Sequence, residues 1–174
     1  MRFPTDVKGI FTGFLALPSG IIALGMVALS IFSLASALVA QYGFNLRPCD
    51  LCLYQRVPFV LNILLGFWAY AMPKLHRPLI GIAGLAFLAN SGIAFFHSGV
   101  ERKWWVGITG CTTPDMSGTV EDLLKRITET DVVRCDEIPW SMFGLSMANY
   151  NVVFCLGLGM ICLIYVFIRR HPAR

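Results

Sequence analysis

The chain has 174 residues, of which 56% are hydrophobic and only 14% charged, and its formal net charge is +4. Soluble domains carry about 25% charged residues, so the composition excludes an ordinary water-soluble globule. The few positive charges gather near the ends of apolar stretches, which points to a membrane and away from nucleic acid.

Residues 20–41, "GIIALGMVALSIFSLASALVAQ", carry no charge, and about 20 such residues suffice to cross a bilayer. The small residues "ASA" at 35–37 suit a signal-peptide cleavage site, but secretory apolar cores run only about 7–15 residues. The segment is therefore expected to stay as a first helix, with Pro18 dividing it from a short surface segment at 10–17. A second helix is predicted over 49–72, a third over 79–96 and a fourth over 149–168. The expected fold class is an all-α membrane protein. A single domain, 1–174, forms a four-transmembrane-helix bundle with a long loop at 97–148 that contains short amphipathic helices.

Orientation follows from the basic residues beside the helix ends. Arg2, Lys8, Lys74, Arg77, Arg169, Arg170 and Arg174 lie on one side, predicted to be cytoplasmic along with both termini. The opposite side holds Arg47 and the 97–148 loop, in which five basic residues face eight acidic ones. Cys49 and Cys52, at the outer end of the second helix, and Cys111 and Cys135, in the loop, are thus assigned to the oxidising side, where disulfides persist. Cys155 and Cys162 lie inside the fourth helix and read as small packing residues.

Within the loop, "ERKWW" suggests an interfacial aromatic belt. "GITGCTTPDMSGT" reads as irregular chain. "VEDLLKRI" puts Val120, Leu123, Leu124 and Ile127 at helical spacing behind a Thr119–Asp122 capping pair. "PWSMFGLSM" is expected to lie in the membrane surface as a short interfacial helix. A bridge between Cys111 and Cys135 would stabilise the loop by about 3–4 kcal/mol if it were permanent. Zinc is disfavoured by the sequence: two cysteines per site and no nearby histidine pair leave the tetrahedral set incomplete.

The chemistry concentrates in "RPCDLCLYQR", residues 47–56. Its cysteines fall at the start of the second helix, where unpaired N–H groups create positive potential. Thiolate is the nucleophile of disulfide exchange, and helix N-termini and cations favour it. Arg56 lies four residues after Cys52 and seven after Cys49, on the same face, about 6 Å beyond Cys52 along the axis. Asp50 opposes that effect and has no firm account from sequence. Two cysteine pairs on one side suggest a relay of electrons by disulfide exchange. Without haem ligands, iron–sulfur spacing or a dinucleotide loop, a lipid-soluble quinone is the economical acceptor. His97, at the outer end of the third helix, is suited to bond a quinone oxygen or handle protons.

Taken in order, "PCDLCLYQR", "FFHSGVERKWW", the isolated Cys111 and "RCDEIPWSMFGLSMANYN" resemble the DsbB family of membrane thiol oxidases. The resemblance spans most of residues 47–151. It implies a thiol:quinone oxidoreductase of the bacterial inner membrane, with Cys49 and Cys52 as the quinone-coupled pair and ubiquinone or menaquinone as cofactor. It further implies that Cys111 and Cys135 receive electrons from a soluble, periplasmic DsbA-like thioredoxin-fold partner, and that Arg56 and His97 lie beside the quinone. In the implied order the partner's thiolate attacks Cys111 and frees Cys135. Cys135 then attacks Cys49, and Cys52 becomes the thiolate facing quinone. Alternatives are a DsbI-like oxidase with a dedicated partner and a vitamin K epoxide reductase-type enzyme; the latter is expected to carry its CxxC late in the chain. A scaffold with purely structural cysteines leaves Arg56 without a reason.

Overall fold

The computed structural model describes residues 18–107, 119 and 134–168. Among the described residues run four α-helices: α1 (Ser19–Leu38), α2 (Asp50–Ala71), α3 (His76–Glu101) and α4 (Met147–Ile168). Each has the length and apolarity to cross a membrane, and many large apolar side chains point outward, among them Leu64, Leu85 and Val153. α1 continues through a π-helical turn, Val39–Gly43, and "ASA" lies within its uninterrupted helix. The predicted surface segment at 10–17 and the helix at 120–127 lie outside the described residues, as does Cys111.

α3 is the hub, packed along α4 and α2, while α1 packs chiefly on α2. Small residues bring the backbones together, as expected where lipid offers no hydrophobic drive between helices. A Cβ on Gly84 of α3 would meet the Cys162 Cβ at 3.0 Å and the Gly159 carbonyl at 3.3 Å. Phe59, Phe87, Ile80, Cys155, Cys162 and Tyr165 fill the core between the helices.

Two features depart most from the sequence reading. α3 runs to Glu101 rather than ending at 96, because the polar residues of its last turn bury against α4 and the loop instead of leaving the bundle. The stretch "PWSMFGLSM" is a β-hairpin, not an interfacial helix: β1 (Ser141–Met142) pairs antiparallel with β2 (Leu145–Ser146). Phe143 and Gly144, at φ 51° and 75°, make the two-residue turn. Both central residues at positive φ are what a tight hairpin requires, and helical geometry forbids it. Tyr150 Oη donates to the Met142 carbonyl at 2.9 Å and ties the hairpin to α4.

Candidate functional site

The site is assembled at one end of the bundle. Cys49 is the N-cap of α2, extended at φ −81° and ψ 171°, and its Sγ accepts the Cys52 N–H at 3.4 Å. The sulfur thus takes one of the four N–H groups that a helix start leaves unpaired. Asp50 is the first residue of the helix and exposed. There a negative charge interacts favourably with the helix dipole, which gives this acid a structural reason beside the thiols. Cys52 Sγ lies 3.0 Å from Cys49 Sγ, and the thiols share a hydrogen bond.

Three elements close over the pair. Cys135, fully buried, packs with Cys49, Leu51 and Val100, and Cys52 and Phe96 pack against this cluster. His97, 4% exposed, arrives from α3. Its Nε2 lies 3.5 Å from Cys49 Sγ and 3.9 Å from Glu101 Oε1. Its Nδ1 lies 2.9 Å from the Gln55 amide nitrogen. Gln55 in turn accepts from the Asn151 amide of α4 at 2.7 Å. Residues from α2, α3 and α4 are thereby joined in one buried network.

Glu101 terminates a second chain of donors. Ser146 Oγ donates to its Oε2 and accepts from the Asn149 amide at 2.8 Å. Asn149 Oδ1 accepts from Ser98 at 2.8 Å and from Arg102 at 3.2 Å. A buried carboxylate is costly unless paired and hydrogen-bonded, and every link here donates toward it.

Arg56 is half-buried one turn beyond Cys52, and its Nη1 donates to Gln41 Oε1 of the π-helical turn at 2.8 Å. The guanidinium is thus held between the C-terminal end of α1 and the N-terminal end of α2. Beyond α3, Trp105 stacks on Phe96 with centroids 5.7 Å apart and donates to its carbonyl at 2.9 Å. This tryptophan packs back on the bundle, while Trp104, 56% exposed, lies under the Arg102 guanidinium. Ahead of Cys135 the loop is pinned by Arg134, which grips Asp136 through two bonds of 3.0 and 2.8 Å. These bonds hold the Asp136 carboxyl below the usual carboxylate range and push Arg134 up.

Of the residues singled out from sequence, Cys49, Cys52, Cys135 and His97 come together, and Arg56 stands one turn away toward α1. Gln55, Glu101, Ser146, Asn149 and Asn151 were missed. Spacing held partial signals: Glu101 follows His97 by one turn, and Gln55 with Asn62 places amides on the buried face of α2. Donor atoms of Cys49, Cys52 and His97 also lie within 4.8 Å of one another, a trio invisible in the sequence because His97 is far from the cysteines along the chain.

Comparison with known proteins agrees with this architecture. The family model described as "Disulfide bond formation protein DsbB" matches residues 19–165. A Disulfide bond formation protein B of Xanthomonas campestris is 31% identical, over 81% of this chain and 86% of its own. The protein of that name from Methylobacillus flagellatus is 26% identical over 94% of both chains. An uncharacterized protein of Rickettsia prowazekii, RP370, is 23% identical over 76% of this chain and 79% of its own. No solved structure gives a significant match. With the family model covering α1, α2 and α3 whole and nearly all of α4, and the paired thiols opening α2, the chain belongs to the DsbB family of disulfide bond formation proteins.

Proposed function

We propose that this multi-pass membrane protein generates disulfides de novo, oxidising a periplasmic DsbA-like thioredoxin-fold partner and passing the electrons to membrane quinone. The whole chain acts as one domain in the inner membrane, with both termini cytoplasmic and both cysteine pairs periplasmic. The observation that carries the reading is the packing of Cys135 against Cys49, with Cys52 beside them. A loop cysteine buried on a helix-start dithiol is placed for exchange, whereas a scaffold bridge needs no such neighbour.

The chemistry balances without metal. The partner's thiolate attacks Cys111 of a Cys111–Cys135 disulfide, and Cys135 leaves as a thiolate. Cys135 then attacks Cys49 of a Cys49–Cys52 disulfide, forming a 49–135 bond and expelling Cys52 as a thiolate. The partner's second thiol resolves the mixed disulfide at Cys111. The freed Cys111 attacks Cys135 and restores the loop bridge, which leaves Cys49 and Cys52 reduced. Quinone supplies a two-electron, two-proton sink that returns this pair to the disulfide.

The chain's own residues fit that acceptor. Arg56 and Gln41 place polar groups 2.8 Å apart at the outer end of α1 and α2, beside the lipid-exposed Tyr54 and Val57. A flat, apolar molecule with carbonyl oxygens is suited to such a border between hydrocarbon and hydrogen-bond donors. Helix α2 starts at the pair, so its N-terminal potential favours thiolate at this end of the helix. His97 and Glu101 keep buried polar atoms next to the sulfurs, where protons must move.

The test uses purified protein, reduced DsbA-like partner, and ubiquinone or menaquinone. Partner thiols should disappear in step with quinone, two thiols per quinone. Thiol loss without quinone loss, or no loss of either, would reject the reading.

A further inference from the structure

The hydrogen-bond directions around Gln55 decide where His97 carries its proton. Gln55 Nε2 lies 3.1 Å from the Leu51 carbonyl, a group that can only accept. On its other side Gln55 Oε1 lies 2.7 Å from the Asn151 amide nitrogen. Turning the Gln55 amide over would set oxygen against the Leu51 oxygen and nitrogen against the Asn151 nitrogen. Whichever way Asn151 is turned, the acceptor-only Leu51 carbonyl fixes the Gln55 amide. The Gln55 NH2 group therefore points at His97 Nδ1 as a donor, at 2.9 Å. A neutral imidazole has one donor and one acceptor nitrogen. Nδ1 must accept, so Nε2 carries the hydrogen, facing Cys49 Sγ at 3.5 Å with Glu101 Oε1 at 3.9 Å.

We propose that Gln55 is a positioning residue that locks His97 in its Nε2–H form, so that the imidazole serves the Cys49–Cys52 pair as a hydrogen-bond donor and not as a proton-accepting base. A donor on Cys49 Sγ stabilises negative charge whenever that sulfur is released from a disulfide. When a thiol of the reduced pair is deprotonated, its proton must go to an acceptor other than His97 Nε2, and the Glu101 carboxyl, 3.9 Å from Nε2, is a candidate. The same lock bears on metal binding. The trio Cys49, Cys52 and His97 has ligand-like spacing, but Nε2 offers it a hydrogen in place of a lone pair. Gln55 acts through His97 and touches neither sulfur, so its effect is indirect. The consequence for turnover rests on the proposed thiol–quinone reaction; the tautomer itself does not.

The experiment is nitrogen-15 NMR of histidine-labelled full-length protein in detergent micelles, at neutral pH, with His97 assigned by its loss in His97→Phe. Wild type should give a protonated Nε2 and an unprotonated Nδ1. Gln55→Leu, close in size and without donors, should release the preference and raise the Nδ1–H population. In the same samples, reduced with a phosphine, Cys49 should be alkylated about tenfold more slowly in Gln55→Leu, the effect of losing one hydrogen bond to a charged group. Wild type with its hydrogen on Nδ1, or Gln55→Leu with an unchanged tautomer, would overturn the proposal. Because the resting protein is measured, failure of quinone reduction leaves this outcome readable on its own.

Discussion

Around the thiols, single side chains carry work that their neighbours cannot take over. Ser146 is the donor to the buried Glu101 carboxylate, and it also holds the Asn149 amide. Removing it leaves a buried carboxyl oxygen short of a partner, at a cost of about 1–3 kcal/mol. Ser146→Ala should therefore lower the thermal midpoint in detergent by several degrees. Ser36→Ala, which loses only an exposed bond to its own helix's Phe32 carbonyl, should leave it unchanged. A second residue-scale expectation concerns pH. The Arg134 grip depresses the Asp136 carboxyl, so its contribution is complete above the unfolded value of about 3.9. It is lost as pH falls through the lower folded value. The Asp136 side-chain NMR shift should thus titrate below the ordinary carboxylate midpoint and return to it in Arg134→Ala. With its Arg134 side exposed, the pair adds little stability; its use is to hold the chain beside Cys135.

Helices and hairpin divide sharply in how far the sequence foretold them. The four spans were legible because length and apolarity alone decide them, and the dithiol was legible because Cys-x-x-Cys has a fixed spacing. His97 was placed at the right helix end, but its partners were not, since they depend on how α2, α3 and α4 are rotated against one another. The 141–146 hairpin was misread because an apolar, aromatic run has the composition of an interfacial helix. What reverses that reading is the positive φ at Phe143 and Gly144, a property of one dipeptide. Helix packing yields a prediction of its own. Gly84 leaves no room for a methyl against Cys162 and the Gly159 carbonyl, and backbone cannot shift as a flexible side chain does. Gly84→Ala should destabilise by about 1–3 kcal/mol, the usual cost of overpacking. Gly157→Ala faces open space on α4 and should be neutral, as a paired thermal-shift series would report.

At the scale of the whole molecule, the bundle brings together groups that the chain keeps far apart. Cys49 and Cys52 open α2, His97 and Glu101 close α3, and Ser146 stands just before α4, so all lie at one end. The opposite end carries the turn after Met72, where Gly20 of α1 lies against the Tyr70 ring. If electrons cross from the loop to the helix-start pair, the covalent bond formed on the way must join Cys135 to Cys49. Cys52→Ser removes the thiol that would otherwise re-form the 49–52 bond and release Cys135. In the variant the free Cys49 thiolate attacks Cys135 of the Cys111–Cys135 disulfide and expels Cys111 as a thiolate. A 49–135 disulfide should therefore accumulate without quinone, recoverable as a cross-linked peptide by mass spectrometry. Cys155 and Cys162 are buried within the helix bundle and should stay out of every cross-link. A trapped bond from Cys155 or Cys162 to Cys135 would instead mean that the loop approaches the bundle by another route, and the relay through Cys49 would fail.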